Sequence, residues 1–245
     1  MKTVLITGAN RSIGLETAKQ LSEEGLFVYI GSRNLQKGEE TVKQLTEKGY
    51  QNIKAVEIDV TNPESIKNAK NSIETEKGKL DILINNAGIL GVNTQTATDT
   101  PVDDIREVFD TNFFGVINVT QIFLDLLKKS DNPRISNITS GLGSLTLHSD
   151  PDWKYYHVKS AAYGPSKSAL NAYTIALAYE LKDQPFKVNV IDPGYTATDF
   201  NGHSGPGSVE SAASFIIKHT LTDENGPTGQ YFSNDIEDET GISPW

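Results

Sequence analysis

The strongest constraint on this chain is an alternation: short runs rich in apolar and β-branched residues are separated by segments of helix length. Thr3–Thr7, Phe27–Ile30, Ile53–Ile58, Ile82–Ile84, Ile135–Thr139 and Lys187–Ile191 read as buried strands. Between them lie helical patterns at Ser12–Glu24, Leu35–Glu47, Pro63–Glu76, Val102–Asp110 continuing through about Leu127, and Tyr163–Leu181. Parallel strands must be joined by crossovers of a dozen or more residues, and these segments have that length. The pattern predicts an α/β fold, a doubly wound parallel sheet of about seven strands with helices on both faces. No repeat, low-complexity tract or linker divides residues 1–245, so a single domain is expected, with 141–162 and 201–208 as long loops on the substrate side.

Composition narrows the chemistry. A formal net charge of −10 argues against nucleic acid as a partner, because backbone phosphates are held by basic surfaces. With no cysteine there is no disulfide, thiolate nucleophile or zinc–sulfur site, and His148, His157, His203 and His219 lack metal-ligand spacing. No metal is expected, and redox chemistry must come from a bound cofactor. No segment approaches the ~18 apolar residues of a membrane span. Met1-Lys2-Thr3 passes directly into Val4-Leu5-Ile6 and a glycine motif, so neither a leader nor a membrane is expected and the assignment is cytoplasmic. Asn118-Val119-Thr120 and Asn137-Ile138-Thr139 are read as chance glycosylation matches, and the Glu39 to Lys48 run as a solvated helix face.

After the first strand comes Thr7-Gly8-Ala9-Asn10-Arg11-Ser12-Ile13-Gly14, which enters a helix. Glycines permit angles and approaches that a Cβ would obstruct, and the helix N-terminus offers unpaired N–H groups to a pyrophosphate. An ordinary tight turn is the alternative. The second strand ends Gly31-Ser32-Arg33, where an acidic residue would favour NAD. An arginine there suits the 2′-phosphate of NADP, with Arg11 as a second charge; otherwise Arg33 is a solvated strand end.

The glycine turn is followed by Asp59-Val60 after the third strand and Asn85-Asn86-Ala87-Gly88 after the fourth. Together these make the chain resemble the short-chain dehydrogenase/reductase family over nearly its whole length. Gly226-Pro227-Thr228-Gly229-Gln230-Tyr231 is similar to its carbonyl reductase branch, which uses NADPH. The resemblance implies a Rossmann-type domain in which Gly8, Asn10, Arg11, Ser12, Ile13, Gly14 and Arg33 bind the cofactor. By the same resemblance Asp59 and Val60 hold the adenine and Asn86, Ala87 and Gly88 line the ribose side. The chain departs from the family at Ser12, which stands in place of the middle glycine. Serine is at home at a helix start, so Ser12 is expected to adopt a helical backbone and leave the pyrophosphate site intact.

Tyr163-Gly164-Pro165-Ser166-Lys167 opens a long helix, and residues four apart project from one helix face. In an arbitrary sequence this would be a surface pair; its place in this strand order makes it a candidate for chemistry. Upstream, Ile135-Ser136-Asn137-Ile138-Thr139-Ser140 delivers a hydroxyl-rich strand end to the mouth of the sheet. The resemblance implies Ser140, rather than Thr139 or Ser136, as the catalytic serine. It also makes Asn112 the asparagine that kinks the central helix, so that Asn112, Ser140, Tyr163 and Lys167 form the catalytic set. Tyr163 and Lys167 then also touch the cofactor. Asp192-Pro193-Gly194-Tyr195-Thr196-Ala197-Thr198-Asp199 resembles the nicotinamide-side turn, where Pro193 and Gly194 set a bend and Thr196 and Thr198 grip the carboxamide.

These assignments imply an oxidoreductase that transfers hydride from NADPH to a ketone or aldehyde, reversible to alcohol oxidation. Growing negative charge on the carbonyl oxygen would be met by Tyr163 and Ser140. A tyrosine with pKa about 10 needs a shift of roughly three units to match neutral pH, about 4 kcal/mol, shared between Lys167 and the nicotinamide. The substrate pocket is expected to draw on Ser140, Gly141, Leu142, Trp153, Tyr163, Tyr195 and Phe200, with Tyr156 on the same loop as Trp153. Competing readings are an NAD-dependent alcohol dehydrogenase and a non-catalytic cofactor-binding regulator; Arg33 opposes the first and the intact catalytic set the second. The Ser140-to-Tyr163 spacing leaves a homo-oligomer as a weak expectation.

Overall fold

The computed structural model describes residues 1–236 and 238–245. The strands are β1 (Thr3–Ile6), β2 (Phe27–Ser32), β3 (Ile53–Glu57), β4 (Ile82–Asn85), β5 (Arg134–Ile138), β6 (Lys187–Asp192) and β7 (Tyr231–Ser233). They form one parallel sheet in the order β3-β2-β1-β4-β5-β6-β7. The main crossover helices are α1 (Ser12–Glu23), α2 (Leu35–Glu47) and α3 (Pro63–Lys77), then α4 (Val102–Phe109) running into α5 (Gly115–Leu127). After β5 come the short α6 (Leu145–His148), α7 (Tyr163–Glu180) and, before β7, α8 (Val209–Thr220).

Side-chain alternation along the strands feeds two cores. Val4 and Ile6 of β1 pack with Val28, Ile30, Leu21 and Ile216 on the face covered by α1, α2 and α8. Leu5 joins Tyr29, Phe123 and Leu177 on the face covered by α3, α5 and α7. Burying a large apolar side chain contributes roughly 1.5–3 kcal/mol, so both faces contribute heavily to stability.

The expected doubly wound Rossmann-type sheet is present, and its strand order reverses direction between β1 and β4. A crevice at that point, beyond the strand C-termini, is where such sheets take ligands. The sequence reading did not assign α8 or the position of β7. The 141–162 segment is also more structured than a loop: it holds a 3₁₀ turn at Gly141–Gly143 and α6. Asn137 is fully buried in β5, where its amide donates to Thr174, which removes it as a glycosylation site.

One turn of π-helix, Asp110–Phe114, joins α4 to α5. Such insertions break the regular helical register and favour functional sites. Here it turns Asn112 completely inward.

Candidate active site

The turn between β1 and α1 is built from backbone. Gly8 has φ +63°, and a Cβ on Gly14 would lie 2.6 Å from Asn86 Nδ2 and 2.9 Å from the Gly8 oxygen. That close approach exists because the Asn86 amide reaches under the turn and donates to the oxygens of Thr7 (2.9 Å) and Gly8 (3.1 Å). Thr7 Oγ1 accepts from the N–H groups of Asn86 and Ala87, both at 3.0 Å, which ties the ends of β1 and β4 together. Arg11 precedes α1 and places no side-chain cap on it, and no acidic residue stands in the first turn. The N–H groups of the first turn are therefore left without a side-chain acceptor, the arrangement that suits an anion. Arg11 and Arg33 are exposed, and neither forms an ion pair among the described residues.

Ser12 corrects an expectation. Its φ is +55°, in the left-handed region rather than the helical one expected of it. The turn demands the geometry a glycine adopts freely, and serine is held there against the steric cost of its Cβ, roughly 1–2 kcal/mol. Ile13 follows it, and two residues before it the Asn10 carbonyl accepts a long bond from Thr41 (3.4 Å). Asp59 accepts from Thr61 through both its N–H and its hydroxyl, while Val60 is buried beneath Gly115.

The other half of the crevice is built from side chains, with Asn112 and Lys167 buried and Ser140 and Tyr163 half-buried. Tyr163 and Lys167 open α7, with the Lys167 Nζ 5.8 Å from the Tyr163 ring centre. Lys167 donates to the Ile138 carbonyl at 2.9 Å, and the Ser140 hydroxyl lies near enough to Tyr163 to act on its ionisation. The alternatives to Ser140 are occupied elsewhere: Ser136 pairs with Thr220 (2.8 Å) and Thr139 donates to Asn171 (2.7 Å). Asn112 accepts from the Ile89 N–H (2.8 Å) and donates to the Ile89 carbonyl (2.9 Å) and to Ser166 (3.1 Å). A Cβ on Gly88 would meet Asn112 Oδ1 at 3.3 Å and Lys167 Nζ at 3.7 Å, so Gly88 leaves room between the cofactor side and the lysine.

Burial dominates the electrostatics. Desolvation pushes the Tyr163 hydroxyl well above the ordinary phenol range, opposed by the neighbouring Ser140 hydroxyl. The same cause pulls Lys167 down to about 8, opposed by the negative charge of Asp192.

Sequence reasoning missed the residue that fixes where α7 begins. Gln95 Oε1 accepts from the N–H groups of Ala162 (3.1 Å) and Tyr163 (3.0 Å) while its Nε2 donates to the Leu90 and Val92 carbonyls. One amide thus joins the loop after β4 to the first turn of α7, supplying the cap that Ala162 lacks. A glutamine in a polar loop carries no signal of this in sequence.

On the β6 side Gly194 has φ +78°, and Thr196 turns its hydroxyl back onto the carbonyls of Pro193 (3.3 Å) and Gly194 (3.2 Å). Thr198 forms a reciprocal capping box with Asn201, an arrangement that still leaves its O–H free to donate. Phe200 lies 5.7 Å from the Tyr163 ring, and Trp153 packs on Gly141 and on His148. Tyr155, rather than Tyr156, continues this wall: its ring sits 5.4 Å from Trp153 and 5.6 Å from Tyr195. Tyr156 turns instead towards His157 and Lys159. Leu142 donates its N–H to Ser140 Oγ at the wall's base.

Comparison with known proteins bears on what this geometry is for. The family model described as "short chain dehydrogenase" matches residues 2–208. The chain belongs to the short-chain dehydrogenase family. "Short-chain dehydrogenase anuI" of Penicillium roqueforti is 36% identical over 98% of this chain and 95% of its own. The "(+)-neomenthol dehydrogenase" of Arabidopsis thaliana is 33% identical over 94% of this chain and 95% of its own. Among solved structures, the "NADPH bound carbonyl reductase from chicken fatty liver" superposes with a TM-score of 0.85 at 26% identity, covering 100% of this chain and 99% of that one. This member of an oxidoreductase family thus shares the family's fold along its whole length. Among the described residues no helix is long and apolar enough to cross a membrane.

Proposed function

We propose that this protein is an NADPH-dependent carbonyl reductase, or ketoreductase, acting on ketones and aldehydes and reversibly on the corresponding alcohols. The observation that carries the reading is the Tyr163–Lys167 pair on one face of α7, with Lys167 buried and Ser140 beside Tyr163 at the C-terminal end of the sheet.

The residues fit a phosphorylated dinucleotide. The uncapped N-terminus of α1 supplies N–H donors for a pyrophosphate, and two exposed guanidinium groups, Arg11 and Arg33, without an ion pair among the described residues, suit a further phosphate. An NADPH-bound relative with the same fold supports the same choice. When bound, the cofactor supplies the hydride. Ser140 hydrogen-bonds the substrate oxygen and Tyr163 gives it a proton as charge develops there. Burial raises the Tyr163 pKa, the opposite of the downward shift expected from the sequence, so the charge of Lys167 and the positive nicotinamide would have to bring it towards neutrality for the proton to be given up. Lys167 holds a positive charge beside the tyrosine and reaches towards the ribose side at Gly88. Asn112 fixes the Ile89 loop and Ser166 around that lysine.

The aromatic wall of Trp153, Tyr155, Tyr195 and Phe200 suits an apolar, cyclic or aryl-bearing carbonyl. A cytoplasmic location and assembly into a homo-oligomer complete the proposal. The test is the initial loss of reduced-nicotinamide absorbance with aryl ketones, α-keto esters and aldehydes, with NADPH and NADH compared at equal concentration. Turnover that prefers NADPH is expected; turnover that prefers NADH would keep the reaction and overturn the cofactor.

A further inference from the structure

The steps above leave one buried charge unused. Asp192 closes β6, one residue beyond the last β5–β6 pair, Ile138–Ile191, and is 2% exposed. Its Oδ1 accepts from the Gly194 N–H at 3.0 Å and its Oδ2 from the Ser233 hydroxyl at 2.7 Å. Oδ2 also lies 3.3 Å from where a side chain on Gly141 would begin, so the carboxylate presses on the backbone beside Ser140. Lys167 Nζ binds the Ile138 carbonyl at the same strand end. Tyr231 donates to the Ser140 carbonyl at 2.8 Å, closing the group from the β7 side.

The titratable groups around Asp192 come from every neighbouring element. Its charge acts on Tyr163 and Lys167 of α7, on Tyr231 of β7 and on Tyr155 of the loop before α7, and Asp235 after β7 acts on it in turn. Of these only Lys167 is a cation. The exposed Lys154 lies against Asp235 at 3.3 Å.

We propose that Asp192 is the counter-charge of the Tyr163–Lys167 pair and sets the pH at which that pair gives up a proton, and with it the balance between carbonyl reduction and alcohol oxidation. The proposal rests on the reductase reading. Reduction needs the pair with its full complement of protons; oxidation needs the pair with one fewer. A fixed negative charge resists that loss whichever of the two residues holds the proton, so the sign does not depend on a microscopic assignment. Burial raises Asp192 itself to about 6, which leaves it ionised through the neutral and alkaline range where the pair titrates.

The test is the pH dependence of kcat in both directions for the wild type and Asp192→Asn. Asparagine keeps the shape, still accepts from Gly194 and can donate to Ser233. The alkaline fall of reduction and the alkaline rise of oxidation are both expected to move to lower pH by about one unit, the shift produced by removing a neighbouring partly screened charge. Asp192→Ser removes the same charge with a smaller side chain and is expected to shift both limbs the same way, which guards against a folding defect in one variant. Ser233→Ala loosens the same contact without removing the charge and is expected to leave the alkaline limbs in place. Unmoved limbs in both Asp192 variants, movement to higher pH, or an equal shift in Ser233→Ala would overturn the proposal. A wild type inactive on every carbonyl would instead remove the reductase reading beneath it.

Discussion

The two halves of the crevice are made of different material. Between β1 and α1 the candidate cofactor surface is backbone: a turn held from below by Asn86 and Thr7, a helix N-terminus without a cap, and two arginines standing in solvent. Between β5 and α7 the surface is side chain, with Lys167 and Asn112 buried and each of them tied to a named partner. A backbone surface tolerates a changed side chain as long as the turn keeps its angles, as Ser12 shows. A buried polar cluster tolerates very little, because every unpaired group inside it costs about 1–3 kcal/mol.

Substitutions on the two sides should therefore fail differently. After loss of the Tyr163 hydroxyl, the largest effect is expected from Ser140→Ala, with turnover falling about 10²–10³-fold, the usual cost of removing one donor to a developing oxyanion, and the NADPH dissociation constant unchanged. Steady-state kinetics beside a fluorescence titration of cofactor checks it, and equal losses in both would blur the division. Arg33→Ala should do the reverse, weakening NADPH by about 10–100-fold, the worth of a charge-assisted contact, while NADH and kcat hardly change. KM measured for each cofactor reads that out.

Gln95→Ala probes the join between the halves. It removes the acceptor of two N–H groups at the start of α7, so kcat should fall about tenfold through misplacement of Tyr163, with KM for the cofactor little affected. A variant with unaltered kcat would show that α7 is positioned without it. The smallest effect belongs to Ser12→Gly. Relief of the left-handed serine should stabilise the protein by about 1 kcal/mol, less the extra chain entropy of glycine, and raise Tm by a few degrees. Cofactor affinity should change by less than tenfold, and a larger change would make the serine hydroxyl part of the anion site.

The same contrast decides what the sequence could disclose. Helix and strand alternation announced the sheet, and the Tyr163–Lys167 spacing announced a shared helix face, because both follow from fixed periodicities. The backbone of Ser12 was misjudged because serine's preference for helix starts is local, whereas the turn's angles are imposed by the approach of Gly14 to Asn86, more than seventy residues away. Tyr155 and Tyr156 are indistinguishable in sequence, and only the path of the chain after Trp153 decides which ring faces Tyr195. The Gln95 clamp and the Asp192 cluster likewise exist only through contacts distant in sequence.

The measurement that bears most directly on the central claim is turnover and NADPH binding in Tyr163→Phe. Phenylalanine keeps the ring against Phe200 and removes only the hydroxyl that is to supply the proton. Carbonyl reduction lost by about three orders of magnitude or more, with NADPH bound as in the wild type, is the predicted result. Reduction retained within a few-fold would show that the proton comes from elsewhere and would contradict the role assigned to the Tyr163–Lys167 pair.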